Sequence, residues 1–123
     1  MTAFYPSQAP IDGYRGGSFA FASMQHMGAL LALPTGMMAW EVMEGRELSP
    51  SDFKSILSAR ESVDFVLLGT GASVRRPPNS VHRAFAEARL PFDVMDTGAA
   101  VRTYNIVLAE RRRVAAAFLP VPA

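Results

Sequence analysis

Apolar positions follow two different spacings along this chain, and the change between them divides it in half. From Ser18 to Val42 they alternate or run together in short blocks. Phe19 and Phe21 share one face, Ala29-Leu30-Leu31-Ala32-Leu33 is continuous, and Met38, Trp40 and Val42 alternate with Ala39 and Glu41. A period of two predicts strands, and the turn signals at Gly28 and Pro34-Thr35-Gly36 predict that three of them form an antiparallel unit. Glu44-Gly45-Arg46 breaks the pattern. Ser49-Pro50-Ser51-Asp52 then predicts a helix start, because Ser49 accepts from free backbone N–H groups, Pro50 loses nothing at the first helical position and Asp52 reaches back. Phe53, Ile56 and Leu57 supply its apolar stripe.

Beyond that point strands and helices take turns. Val63 to Leu68 reads as a strand apolar on both faces, ended by Gly69-Thr70-Gly71. Pro77-Pro78-Asn79 leads into a helix marked by Val81, Phe85 and Ala88, and Phe92 to Met95 is the next strand. Ala100, Val101, Tyr104, Val107 and Leu108 define a helix over residues 97–110, and Val114 to Leu119 is a final strand stopped by Pro120 and Pro122. A β-α-β-α-β half implies parallel neighbours joined by right-handed crossovers. The expected fold class is therefore α/β: a single three-layer domain over residues 1–123, with a central mostly parallel sheet, helices and an N-terminal antiparallel strand unit. That unit either extends the sheet or roofs it. Residues 1–17, rich in Gly and Pro and without a period, are expected to be a loosely ordered lead-in.

Composition narrows the chemistry. The 123 residues are half apolar, enough to bury a core without staples. A net charge of +1 argues against a nucleic-acid binder living on phosphate contacts, although all basic residues but Lys54 are arginine. The absence of Cys excludes disulfides and thiolate metal sites. Neither a secretory signal nor an apolar run of bilayer length is present, so a cytoplasmic protein without membrane insertion is expected. Five of the seven methionines fall between Met24 and Met43. They read as core filler, unless Met24, Met27 and Met37 are exposed together as a docking patch.

Two strand-to-helix loops carry the candidate site. Loops leaving the C-terminal ends of parallel strands lie along one edge, the usual ligand position in open α/β sheets. Gly69-Thr70-Gly71 and Asp96-Thr97-Gly98 are two such loops. Thr97 and Gly98 open a helix, whose free N–H groups and dipole favour an anion. Arg102 and Asn105 follow on one side of that helix, and Arg75 and Arg76 follow the glycine loop. Gly69, Thr70, Gly71, Arg76, Thr97, Gly98, Arg102 and Asn105 are thus candidate ligands of a phosphate or carboxylate. The same residues also serve ordinary turn and cap roles.

Other motifs fall away. Gly69-Thr70-Gly71-Ala72-Ser73-Val74 has Val74 where a dinucleotide fingerprint needs a third small residue, and no phosphate-binding Gly-Lys-Ser/Thr loop occurs. Asp96-Thr97-Gly98-Ala99 spells the tetrapeptide of retroviral-type aspartic proteases, but a helical pattern follows at once and no later glycine exists. His26, near an expected turn, and His82, on a helix, lack partners at ligand spacing, so neither a metal site nor a cofactor is expected. Arg111-Arg112-Arg113 reads as a solvated helix end.

The stretch DVMDTGAAVRTYNIVLAERRRVAAAFLPV resembles a family of small α/β proteins of bacteria and archaea that includes the mitochondrial respiratory complex I assembly factor 3. The resemblance continues through Phe65–Gly71 and Arg76-Pro77-Pro78, with weaker echoes at Tyr14, Gly28–Pro34 and Trp40. The family pattern often has glycine where this chain has Arg111. What the resemblance implies is a three-layer α/β domain and no particular reaction, since the mitochondrial member acts by binding proteins. The functional expectation is a non-enzymatic interaction or assembly module whose partner is another protein. The alternative is a small-anion or small-molecule binder, with or without catalysis, using the two-loop crevice.

Overall fold

A computed structural model describes residues 4–42 and 46–122. Met43 and the break expected at Glu44-Gly45 lie outside the described residues. Among the described residues seven strands and three α-helices follow one another: β1 Ser18–Phe21, β2 Met24–Met27, β3 Leu30–Leu33, β4 Gly36–Ala39, α1 Lys54–Ser58, β5 Phe65–Thr70, α2 Asn79–Glu87, β6 Phe92–Met95, α3 Thr97–Ala109 and β7 Val114–Leu119. Five strands form one mixed sheet in the order β4-β3-β7-β5-β6. Strands β6, β5 and β7 are parallel neighbours, while β3 runs antiparallel to both β7 and β4. Adjacent parallel pairs are confined to β7, β5 and β6, which α2 and α3 connect; α1 joins β4 to β5, which run the same way but are not neighbours.

Crossover direction decides the layers. The chain leaves β5 through α2 for β6 on one side, then returns through α3 to β7 on the other side of β5. Two crossovers of one hand running in opposite directions place their helices on opposite faces. Accordingly Val81 and Phe85 of α2 join Phe53, Ile56, Val66 and Leu68 on one face, and Val101, Tyr104 and Val107 of α3 join Leu67 and Phe118 on the other. The β7 run splits likewise, with Ala115 and Ala117 on the α2 face and Val114, Ala116 and Phe118 on the α3 face.

Local chemistry explains the element ends. The N–H of Ser49 donates to the Asp52 carboxylate at 2.8 Å, so the expected helix start forms, first as a 3-10 turn over Pro50–Phe53. Asp96 caps α3 by accepting from the N–H of Ala99 at 2.8 Å. Both long helices finish in a left-handed residue that is not glycine, Arg89 at φ 56° and Arg111 at φ 61°. The N–H of Arg111 donates to the Leu108 carbonyl at 2.9 Å and that of Arg112 to the Val107 carbonyl at 3.1 Å, the Schellman pattern. Arg89 and Leu90 repeat it at the end of α2. The missing glycine therefore strains the stop without removing it.

Two expectations change in the N-terminal half. The first strand pairs with β2, not with the sheet, forming a separate hairpin that packs Phe19 and Phe21 on the α3 face. His26 thus stands in a strand, its Nε2 2.9 Å from the Ala29 carbonyl. The hairpin turn is Ala22-Ser23, with φ of 49° and 63°, a conformation usually signalled by Asn-Gly. The strand expected over Met38–Val42 lies at Gly36–Ala39. Within the expected lead-in, residues 4–14 make defined contacts with the rest of the domain. Ala9 and Ile11 are buried, and the segment is bonded to β1, β4 and α3.

Candidate functional site

Strands β5 and β6 are neighbours, so the two glycine-bearing loops do meet at one rim beside the start of α3. They meet by direct hydrogen bonding. The N–H of Gly71 donates to Thr97 Oγ1 at 2.8 Å, and the N–H of Thr97 donates back to the Gly71 carbonyl at 2.9 Å. The Thr97 hydroxyl in turn donates to the Leu119 carbonyl at 2.6 Å. One side chain, fully buried, ties the ends of β5 and β7 to the first residue of α3. Gly69 permits this contact, because a β-carbon there would lie 3.0 Å from Thr97 Cα. That close approach also keeps Gly69 and Thr70 inside β5, paired with Phe118 and Leu119, two residues beyond the expected strand end.

Thr70 is similarly committed. Its hydroxyl donates to the Ser73 carbonyl at 2.7 Å and accepts from the N–H of Arg75 at 3.0 Å, which folds the loop after β5 back on itself. Gly98 is covered by Tyr14 of the lead-in; a β-carbon on Gly98 would lie 2.8 Å from Tyr14 Oη and 3.4 Å from Arg102 Nη1. Arg102 and Arg76 are exposed. Asn105 is turned to the lead-in: its Nδ2 donates to the Ile11 carbonyl and its Oδ1 accepts from the Ile11 N–H, both at 2.8 Å. Gly69, Thr70, Gly71, Thr97 and Gly98 are therefore gathered at one rim, with Arg102 above Gly98. Arg76 belongs to the loop leaving toward α2, and Asn105 is engaged elsewhere.

Tyr14 and Tyr104 are the residues that periodicity did not single out for this role. Tyr104 reads as one more apolar position of α3, yet its hydroxyl donates to the Ala9 carbonyl at 2.7 Å from a fully buried ring. Burial pushes its phenol above the usual tyrosine range. Beside α3 and the hairpin, Ile11, Asp12, Tyr14, Arg15, Ser18 and Gln25 line an open groove of about 430 Å³.

Remaining motifs take structural places. Asp96-Thr97-Gly98 opens a helix, which removes the protease reading. Met37 is fully buried, so Met24, Met27 and Met37 form no common exposed patch, although Met27 alone is 74% exposed. The Arg111-Arg112-Arg113 run separates. Arg111 makes the helix stop, Arg112 lies 4.8 Å from the Phe65 ring, and Arg113 pairs with Asp64 at 2.7 Å. That pairing holds the exposed Asp64 carboxyl below its ordinary value. Among the described residues no helix is long and apolar enough to cross a membrane, and no group of three or more His, Asp or Glu is placed to hold a metal ion.

Fold and rim together define a three-layer α/β domain whose strand-end loops are tied to each other by side chain and main chain. The chain belongs to the family described as "Protein of unknown function (DUF498/DUF598)", which matches residues 11–119. It is 34% identical to an uncharacterized protein of Rhodobacter capsulatus, over 92% of this chain and 86% of that one. It is also similar to NADH dehydrogenase [ubiquinone] 1 alpha subcomplex assembly factor 3 of Mus musculus, with 25% identity over 96% of this chain; the match spans 64% of that protein's length. A crystal structure from Bartonella henselae, of a protein described as an outer membrane protein, superposes with a TM-score of 0.88 at 40% identity, covering 95% of this chain and 98% of that one. The family expected from that resemblance, which is most specific from Phe65 onward, is thus the one found.

Proposed function

We propose that this protein is a non-enzymatic interaction module that acts as an assembly or accessory factor for another protein. The observation that carries the reading is the rim itself. The Thr70 and Thr97 hydroxyls expected to face a ligand are bonded to main chain, so the strand-end loops work as a structural joint. Kinship with assembly factor 3 supports the reading and suggests the partner class, a subunit or assembly intermediate of a respiratory NADH dehydrogenase. A cytoplasmic, bacterial setting belongs to the same proposal. Affinity capture of the intact chain from its native cell tests it: reproducible co-purification of a protein partner is expected, and recovery of none across replicates would remove its support.

A second reading, binding of a small anion or small molecule at the outer side of the rim, is favoured by one observation. Arg102 is exposed and its Nη1 lies close over Gly98 at the start of α3. A thermal-shift screen against phosphates and carboxylates tests it: stabilisation that disappears in Arg102→Ala is expected, and no shift with any anion would end that reading.

A further inference from the structure

Residues 4–14 are held through their backbone and through a few side chains: Gln8 Nε2 donates to the Val114 carbonyl at 2.7 Å, and the Phe4 and Tyr5 rings pack on Phe21. The N–H groups of Phe4 and Tyr5 donate to the Met37 carbonyl at 2.7 and 2.8 Å, and the N–H of Met37 donates to the Tyr5 carbonyl at 2.9 Å. Tyr104 holds the Ala9 carbonyl, and Asn105 holds both polar groups of Ile11. The N–H of Asp12 donates to the Ala20 carbonyl at 2.7 Å, and the N–H of Ala20 to the Gly13 carbonyl at 2.8 Å. Residues 4–14 therefore form a strap that covers the outer edge of β4 and an edge of β1, with a clamp on α3 between. Uncovered strand edges are templates for pairing with another chain. Ala9 and Ile11 are the buried residues of the strap, and Tyr5 and Tyr14 pack half-buried against the same core.

A pivot follows the strap. Arg15 and Gly16 are exposed, Gly16 and Gly17 have φ of 66° and 77°, and a β-carbon on Gly16 would touch nothing within 4 Å. Just beyond, the N–H of Gly17 is fastened to the Val121 carbonyl at 2.8 Å, so the segment after the pivot stays anchored when the strap moves. We propose that residues 4–14 are an exchangeable strap: they leave the slot as a unit, and the slot of one chain accepts the same segment from a second copy, giving a reciprocally strapped dimer. The occupant follows from the fit, since a second copy brings the slot the same Ala9, Ile11 and backbone groups that fill it already. The proposal goes beyond the accessory role and stands or falls independently of it.

The chain has no cysteine, so crosslinks are cleanly placed. A β-carbon on Gly13 would lie 3.8 Å from that of Ala20, inside the span of about 3.5–4.5 Å that a disulfide needs. Full-length G13C and A20C chains are mixed, incubated and oxidised. The expected result is a heterotypic disulfide dimer several-fold more abundant than either homotypic pair, rising with concentration. Heterotypic pairs no more abundant than homotypic ones, together with a G13C/A20C double variant that closes only within single chains at every concentration, would overturn the proposal. Hydrogen exchange on the unmodified chain guards against a folding defect in the variants. The Ile11 and Ala20 amides should exchange together, at least about tenfold faster than those of β7; protection equal to that of β7 would also overturn it.

Discussion

At the rim, the Thr97 side chain accepts from Gly71 and donates to Leu119, joining elements that already touch in a fully buried place. Along the strap, Tyr104 and Asn105 make bonds of similar length to Ala9 and Ile11, yet they attach a segment in which two side chains are buried and Tyr5 and Tyr14 are half-buried. Both regions use side-chain groups to satisfy main chain. The difference lies in what else holds the partner. Rim bonds are backed by the parallel pairing of β5 with β6 and β7, so losing one leaves a buried polar group stranded. Strap bonds are backed only by isolated bridges to β4 and β1 and by half-buried Tyr5 and Tyr14, so losing one lets the segment lift and water take its place.

The largest expected effect is at the rim. Thr97→Val keeps the shape but strands the Gly71 N–H and the Leu119 carbonyl, and should cost roughly 2–4 kcal/mol in urea unfolding. A loss below about 1 kcal/mol would show that the joint is not what holds the loops together.

Tyr104→Phe is next, at about 1–2 kcal/mol, because the Ala9 carbonyl loses its donor from within the core. It also carries a pH signature. Burial raises the Tyr104 pKa above its ordinary 10.0, so the folded chain keeps the phenol neutral while the unfolded chain ionises. That contribution is complete below about pH 10 and is lost as pH rises from there toward the folded value. Equilibrium unfolding followed from pH 8 to 11 should therefore decline less steeply in the Phe variant, and equal slopes would contradict the burial of the hydroxyl.

Asn105→Ala should lower global stability by under about 1 kcal/mol, because the strap lifts without unfolding the core. Its main readout is faster exchange of the Ile11 amide, with β5 and β7 amides unchanged. Global loss as large as that of Thr97→Val would erase the distinction between the two regions. The smallest effect has the opposite sign. Arg111→Gly relieves a left-handed residue at the α3 stop and should stabilise by about 0.5–1 kcal/mol in the same urea assay.

Much of the second half was legible along the chain because its signals are local. The Asp96 cap, the apolar stripe of α3 and the strands before and after it, β6 and β7, sit where period and capping place them. Strand β2 was not legible, since Ala22-Ser23 adopts a turn that its residues do not advertise. The site was half legible. Topology brought the two loops together, but Thr97 and Asn105 have the same composition whether they face a ligand or the chain's own backbone.

The residues by themselves determined the class of fold, the alternation of strands and helices in the second half and the family, because hydrophobic period, caps and turn residues act over a few positions at a time. The tertiary structure alone decided the β4-β3-β7-β5-β6 order, the capture of the lead-in by α3 and the closing of the rim. Each of those joins groups far apart in the chain, such as Ile11 with Asn105. A hydrogen bond of that kind is set by which surfaces the packed core brings within reach, and no local pattern records it.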